Sequence, residues 1–213
     1  MYEAEKKAVL ECALTMEHYR LVSLSGGNVS VRLPDGSFLV TPSAVRYDGM
    51  SPDDVVRVDA QGKVVEGHLR PSSDTSALLY VFEHMPEVNA VIHTHQPYAN
   101  AVGLVTDVLP AFLTLMIDAT QKEVHVAPFT ISSDEGMGVL SVEYARGALC
   151  VILKHHGVIA FGKDLDQALE AAVYLEDAAK VYLLARAIGP VPLLDEKQIA
   201  DQAEDRGNYG QKK

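Results

Sequence analysis

The sequence predicts an α/β protein in which helices cover a mixed or antiparallel sheet. Short β-like runs crowd the first part of the chain, and helical patterns intersperse later. Strands and helices never settle into the regular alternation of a doubly wound parallel sheet. No internal repeat, low-complexity tract or linker interrupts the pattern, so residues 1–213 read as a single domain. A chain of 213 residues with 48% hydrophobic content suits that reading. It should bury roughly 70% of its unfolded surface.

The first element is a helix over 4–22, with Val9, Ala13, Met16 and Arg20 on one stripe and Leu10, Leu14 and Glu17 beside it. Ser25-Gly26-Gly27-Asn28 ends it. Strands follow at 29–33, 38–41 and 55–58, separated by Pro34-Asp35-Gly36 and Gln61-Gly62-Lys63, which have turn chemistry. A helix fits 73–85 and stops before Pro86. A buried strand fits 88–93, a helix 98–105, a short strand 124–128 and a helix 134–146. Residues 149–154 and 157–161 form either a strand pair or one kinked strand. The longest helix, 164–187, has Asp164 as N-cap and Gly189-Pro190 as its stop. The polar tail from Asp195 reads as a short helix with an extended end, or as disorder.

The net charge is −11, from 18 Lys and Arg against 29 Asp and Glu. That balance argues against an electrostatic grip on nucleic acid or an anionic membrane. An anionic ligand must therefore be held by a local device. Cys12 and Cys150 sit inside apolar runs, no secretory signal opens the sequence, and no apolar run reaches the ~20 residues of a membrane span. These features predict a soluble cytoplasmic protein rather than a disulfide scaffold.

Four motifs carry chemistry. In Ala90-Val91-Ile92-His93-Thr94-His95, strand geometry puts His93 and His95 on one face, where two imidazoles can ligate one metal. In Lys154-His155-His156-Gly157, adjacent strand residues face opposite ways, so at most one histidine joins that pair. Three histidines with an open coordination position describe a catalytic metal site better than a closed structural one. Arg70-Pro71-Ser72-Ser73-Asp74 offers helix capping, and the same free amides and hydroxyls make an anion site beside a carboxylate. Ser25-Gly26-Gly27-Asn28, with Thr41-Pro42-Ser43-Ala44, can turn backbone amides on an anion or serve only as a turn.

Taken in order, the sequence resembles the class II aldolase and adducin-head family. The resemblance rests on Ser25-Gly26-Gly27-Asn28-Val29-Ser30-Val31-Arg32, Leu39-Val40-Thr41-Pro42-Ser43, Glu66-Gly67-His68-Leu69-Arg70-Pro71-Ser72-Ser73, the 90–95 string, and His156-Gly157-Val158-Ile159-Ala160. It is strongest to the branch of fuculose-1-phosphate aldolases and ribulose-5-phosphate 4-epimerases. The resemblance implies a three-layer α/β/α fold around a mainly antiparallel sheet. It also implies a homotetramer with sites near subunit interfaces, a Zn²⁺ cofactor and a phosphorylated sugar substrate. Mn²⁺ or Co²⁺ would also suit the ligands. Residue by residue, His93, His95 and His156 match the metal ligands, His156 because the family's ligand directly precedes the glycine. Gly27, Asn28, Ser43, Ala44, Ser72 and Ser73 match the phosphate pocket. Asp74 matches the base, and Tyr209 in Asn208-Tyr209-Gly210-Gln211 matches a proton donor that reaches a neighbouring subunit's site.

The chain also departs from each branch. Asp74 stands where the aldolases carry glutamate, which is the epimerase-like choice, and 113–116 lacks their tyrosine. Against the epimerases, it lacks their C-terminal histidine and the aromatic-rich motif at 118–128. The resemblance therefore implies a metal-dependent aldolase cleaving a ketose 1-phosphate to dihydroxyacetone phosphate and a short aldehyde. A sugar-phosphate 4-epimerase using the same metal and retroaldol step is the alternative. A non-catalytic, partner-binding head domain has no use for an open metal site.

Overall fold

A computed structural model describes residues 1–206. Its centre is a nine-stranded sheet made of β1 (Asn28–Arg32), β2 (Phe38–Val40), β3 (Val56–Val58), β4 (Val64–Glu66), β5 (Ala90–Thr94), β6 (Val108–Leu109), β7 (Val124–Ala127), β8 (Cys150–Leu153) and β9 (Gly157–Gly162). The spatial order is β4-β3-β2-β1-β5-β9-β8-β7-β6. Every neighbouring pair is antiparallel except β7 with β8, which is parallel. The helices are α1 (Glu3–His18), α2 (Thr75–His84), α3 (Pro97–Val105), α4 (Thr114–Thr120), α5 (Glu135–Ala145), α6 (Leu165–Ile188) and α7 (Glu196–Arg206).

Strand alternation divides the core between the two sheet faces. Ile92, Ile152 and Val158 pack with apolar residues of α1, α3 and α6, while Val91, Val151 and Ile159 pack with those of α2 and α5. The three-layer expectation holds for this reason: both faces of the central strands are apolar, so both must be covered. His93 continues the Val91 face, which places it beside the start of α2.

Several local expectations are corrected. The first helix ends at His18, and Arg20 lies beyond it with φ of 58°. Residues 149–161 form a strand pair, β8 and β9, rather than one kinked strand. The elements β4, β6 and α4 were not foreseen, being two to seven residues long and too short for a clear period. The tail holds a helix, α7, which buries none of its side chains and is tied down by polar contacts. Gln202 Nε2 donates to Asp118 at 3.0 Å, and Arg206 donates to Glu170 at 3.1 Å.

Candidate active site

The histidine strand sets the site. Asn28 on β1 is paired opposite His93 on β5, and β9 flanks β5 on its other side. Period-two alternation brings His93 and His95 to one face, with Nε2 atoms 3.0 Å apart. The turn between β8 and β9 delivers the third ring. His155 takes the left-handed conformation there (φ 64°) and its side chain is exposed, while His156 turns toward the other two. Ring centroids lie 4.7 Å apart for His93 and His156 and 5.5 Å apart for His95 and His156. One ligand atom from each of the three fits within 4.8 Å of the others. Gly157 permits this approach, since a Cβ there would strike the Thr94 carbonyl and the rings of His93 and His95.

These rings are suited to a cation. His93 Nδ1 contacts the Val158 carbonyl at 3.0 Å, which makes Nδ1 the N–H and leaves the Nε2 lone pair free. Burial, then the neighbouring imidazoles, push the pKa of His93 down to about 3. Partial desolvation also lowers His95, which still opens to the cavity, and His156, so all three favour the neutral form that a metal needs. His156 Nδ1 is buried without a hydrogen-bond partner among the described residues. A divalent ion therefore fits the donor set.

Asp74 lies beside the rings, with Oδ2 4.0 Å from His93 Nε2. It is the N-cap of α2, yet its carboxylate makes no capping bond. Asn28 Nδ2 donates to Oδ2 at 2.7 Å instead, and the Ser73 hydroxyl reaches Oδ1 at 3.5 Å. The capping expectation for Ser72 is met only weakly, by its Oγ accepting from the Asp74 N–H at 3.3 Å.

A cavity of about 230 Å³ opens in front of these groups. Gly27, Ser43, Ala44, Ser72, Ser73, Asp74 and the three histidines line it. Asn28 does not; it is buried behind Asp74. The walls are pinned to one another. Ser43 N–H donates to the Arg70 carbonyl and Ser72 N–H to the Thr41 carbonyl, both at 3.0 Å, so these two serines face the cavity with hydroxyls rather than amides. Gly27, at φ of 72°, passes so close to the His93 carbonyl that a Cβ would collide with it. The buried Tyr47 hydroxyl donates to the Gly27 carbonyl at 2.8 Å and holds this turn from behind. Among the described residues, neither lysine nor arginine lines the cavity. An anion here meets hydroxyls, backbone and a helix N-terminus.

Two lining residues were missed. Ser132 and Ser133, between β7 and α5, reach the same cavity. Their signal was in the sequence: Ser132-Ser133-Asp134 repeats Ser72-Ser73-Asp74, and each triplet precedes a helix. Tyr209 lies outside the described residues.

The sequence profile described as the Class II Aldolase and Adducin N-terminal domain matches residues 7–183. The chain belongs to this family. It is 31% identical to the L-fuculose phosphate aldolase of Escherichia coli K12, over 96% of this chain and 94% of that protein. It is 32% identical to the L-ribulose-5-phosphate 4-epimerase UlaF of Salmonella paratyphi C, over 97% of this chain and 98% of that one. The solved structure of an L-fuculose 1-phosphate aldolase superposes with a TM-score of 0.89 at 27% identity, covering 94% of both chains. YgbL from Escherichia coli, described as a putative aldolase/epimerase/decarboxylase, shares the fold with a TM-score of 0.84 at 23% identity, over 94% of this chain and 98% of that one. The protein is accordingly an enzyme of the class II aldolase family, whose members are metal-dependent, and its histidine cluster could hold the metal.

Proposed function

We propose that the protein is an aldolase that reversibly cleaves a ketose 1-phosphate, fuculose-1-phosphate-like, to dihydroxyacetone phosphate and a short aldehyde. One observation carries this reading: three neutral imidazoles and one carboxylate stand at a small hydroxyl-lined cavity with no cationic side chain in its described wall. Such a cavity suits a substrate with a phosphate at one end and vicinal oxygens at the other. His93, His95 and His156 would hold the ion, zinc in our reading, with manganese and cobalt as alternatives. When bound, it supplies Lewis acidity toward the substrate's carbonyl and hydroxyl oxygens.

The chain's own residues do the rest. Ser43, Ser72 and Ser73 bind the phosphate oxygens, with the backbone at Gly27 and Ala44. Asp74 handles the proton on the carbon next to the carbonyl, returning it in cleavage and removing it in condensation. Asn28 holds that carboxylate in place. Tyr209 is assigned, on family resemblance, to the oxygen at the cleaved bond. We read residues 1–213 as one domain, assembled as a homotetramer with sites at subunit interfaces, and located in the cytoplasm. Among the described residues no helix is long and apolar enough to cross a membrane.

The second reading is a 4-epimerase of the L-ribulose-5-phosphate type. It is favoured by Asp74 in the place of the aldolases' glutamate and by the 32% identity to an epimerase. The two separate on a panel of ketose phosphates incubated with zinc-loaded protein. Release of dihydroxyacetone phosphate supports the aldolase, and an epimeric sugar without fragments supports the epimerase. Neither product from any sugar would reject both.

A further inference from the structure

α6 packs against the Ile92 face of the sheet, opposite the cavity, and presents mainly alanine and leucine to it. Glu176 is the exception. It is 9% exposed and lies outside the chemistry assigned above. Burying a carboxylate is costly unless hydrogen bonds compensate its lost hydration. Both of its oxygens are aimed at one strip of backbone: Oε1 accepts from Tyr98 N–H and Oε2 from Ala99 N–H, each at 2.9 Å. These are free amides of the first turn of α3, where Pro97 supplies none. The negative charge also suits a helix N-terminus.

A second tie lies one turn earlier on α6. Gln96, fully buried, donates from Nε2 to the Ala172 carbonyl at 3.2 Å and accepts from Thr94 Oγ1 at 2.6 Å. Residues 94, 96, 98 and 99 are thus all anchored, and His95 sits among them. Its own N–H donates to the Leu21 carbonyl at 2.9 Å, and its ring projects to the cavity side. Unlike His93, which is buried inside the sheet, His95 follows the end of β5 and is exposed. The backbone that follows it is held by α6 through Gln96, Tyr98 and Ala99.

We propose that Glu176 is a positioning residue for the histidine site, acting through the 96–99 backbone on His95. The inference rests on the metal reading above. It predicts that Glu176 sets the affinity of the site for a divalent ion without touching the ion.

The test measures Zn²⁺ affinity by competition with a chromophoric chelator, the visible spectrum of the Co²⁺-loaded protein, and the melting temperature of the metal-free protein. Glu176→Ala should bind Zn²⁺ ~10–100-fold more weakly, the usual effect of losing a group that orients a ligand. Its Co²⁺ spectrum should shift. Glu176→Gln should lose less, because one acceptor oxygen remains. It carries the comparison if the alanine variant does not fold, and wild-type affinity in it would then overturn the proposal. Val124→Ala, a buried site on β7, controls for destabilisation alone and should leave affinity unchanged. Wild-type affinity and spectrum in a folded Glu176→Ala protein overturn the positioning role, as does an equal affinity loss in Val124→Ala at equal loss of melting temperature. His156→Ala reports separately on the metal reading. If it binds Zn²⁺ as wild type does, that reading fails and takes this inference with it. If it loses the ion while the Glu176 variants keep it, only the positioning role falls.

Discussion

Asp74 is buried, lies 4.0 Å from His93 Nε2, and is the single carboxylate in the described cavity wall. Asp74→Asn keeps the shape of the side chain, and no side-chain capping bond is lost with the carboxylate. Turnover should fall ~10²–10⁴-fold with little change in melting temperature. Wild-type turnover would reject the base assignment. Asn28 and Ser73 separate two functions that adjacent motifs would otherwise blur. Ser73 is exposed to the cavity, so Ser73→Ala should raise KM for phosphorylated substrate. Asn28 is engaged with Asp74, so Asn28→Ala should lower kcat with KM little changed. A hydrogen bond to a charged oxygen is worth ~1.5–3 kcal/mol, or about 10–100-fold in either constant. Steady-state kinetics of the two variants decides, and a KM effect from Asn28→Ala would return that residue to phosphate binding. His93 gives a pH signature in the metal-free protein. Its pKa is about 3 when folded against a reference of 6.5, so below pH 6.5 the unfolded chain takes up a proton that the folded chain refuses. Stability should therefore drop as pH falls from about 6.5 toward 3, and His93→Asn should flatten that slope in denaturant titrations.

At the scale of elements, the turn from β8 to β9 decides which of two adjacent histidines faces His93 and His95. His155 adopts φ of 64° with its ring 6.4 Å from that of Phe129, and His156 completes the cluster. Elemental analysis of purified variants should find metal lost from His156→Ala and kept in His155→Ala. Equal retention in both would sink the ligand assignment. The starts of α2 and α5 share the cavity because the two helices pack in near backbone contact. A Cβ on Gly138 of α5 would collide with the Ala77 carbonyl of α2. That close crossing brings both Ser-Ser pairs to one end of the site, so α5 belongs to the site's architecture although it bears none of the matched phosphate residues.

For the whole molecule, the sheet order places β1, β5 and β9 at the centre; His93 lies on β5, His95 just past its end, and His156 in the turn entering β9. The histidine cluster is therefore mounted on the part of the sheet covered on both faces. In the proposed assembly Tyr209 completes a neighbour's site. Sedimentation equilibrium should then report four chains of 23.1 kDa, and removal of residues 207–213 should lower turnover while leaving metal content intact. A fully active monomer would reject the interface reading.

The amino-acid sequence by itself determined what depends on short-range period and residue chemistry. The period of two in a strand forces His93 and His95 onto one face whatever surrounds them. Ser-Ser-Asp before an apolar helical run marks a helix start, and Gly27 marks a turn that other residues resist. A chain with net charge −11 had to hold an anion without a cationic surface. Tertiary structure decided what depends on distant segments meeting. It placed Asn28 on Asp74, 46 positions away, and Glu176 on Ala99, 77 positions away. It brought His156 rather than His155 to the other two rings, as the family resemblance implied, admitted Ser132 and Ser133 to the cavity, and made the β7–β8 pair parallel. Such pairings carry no local period, because their energy comes from burial and hydrogen bonding between segments that are remote along the chain.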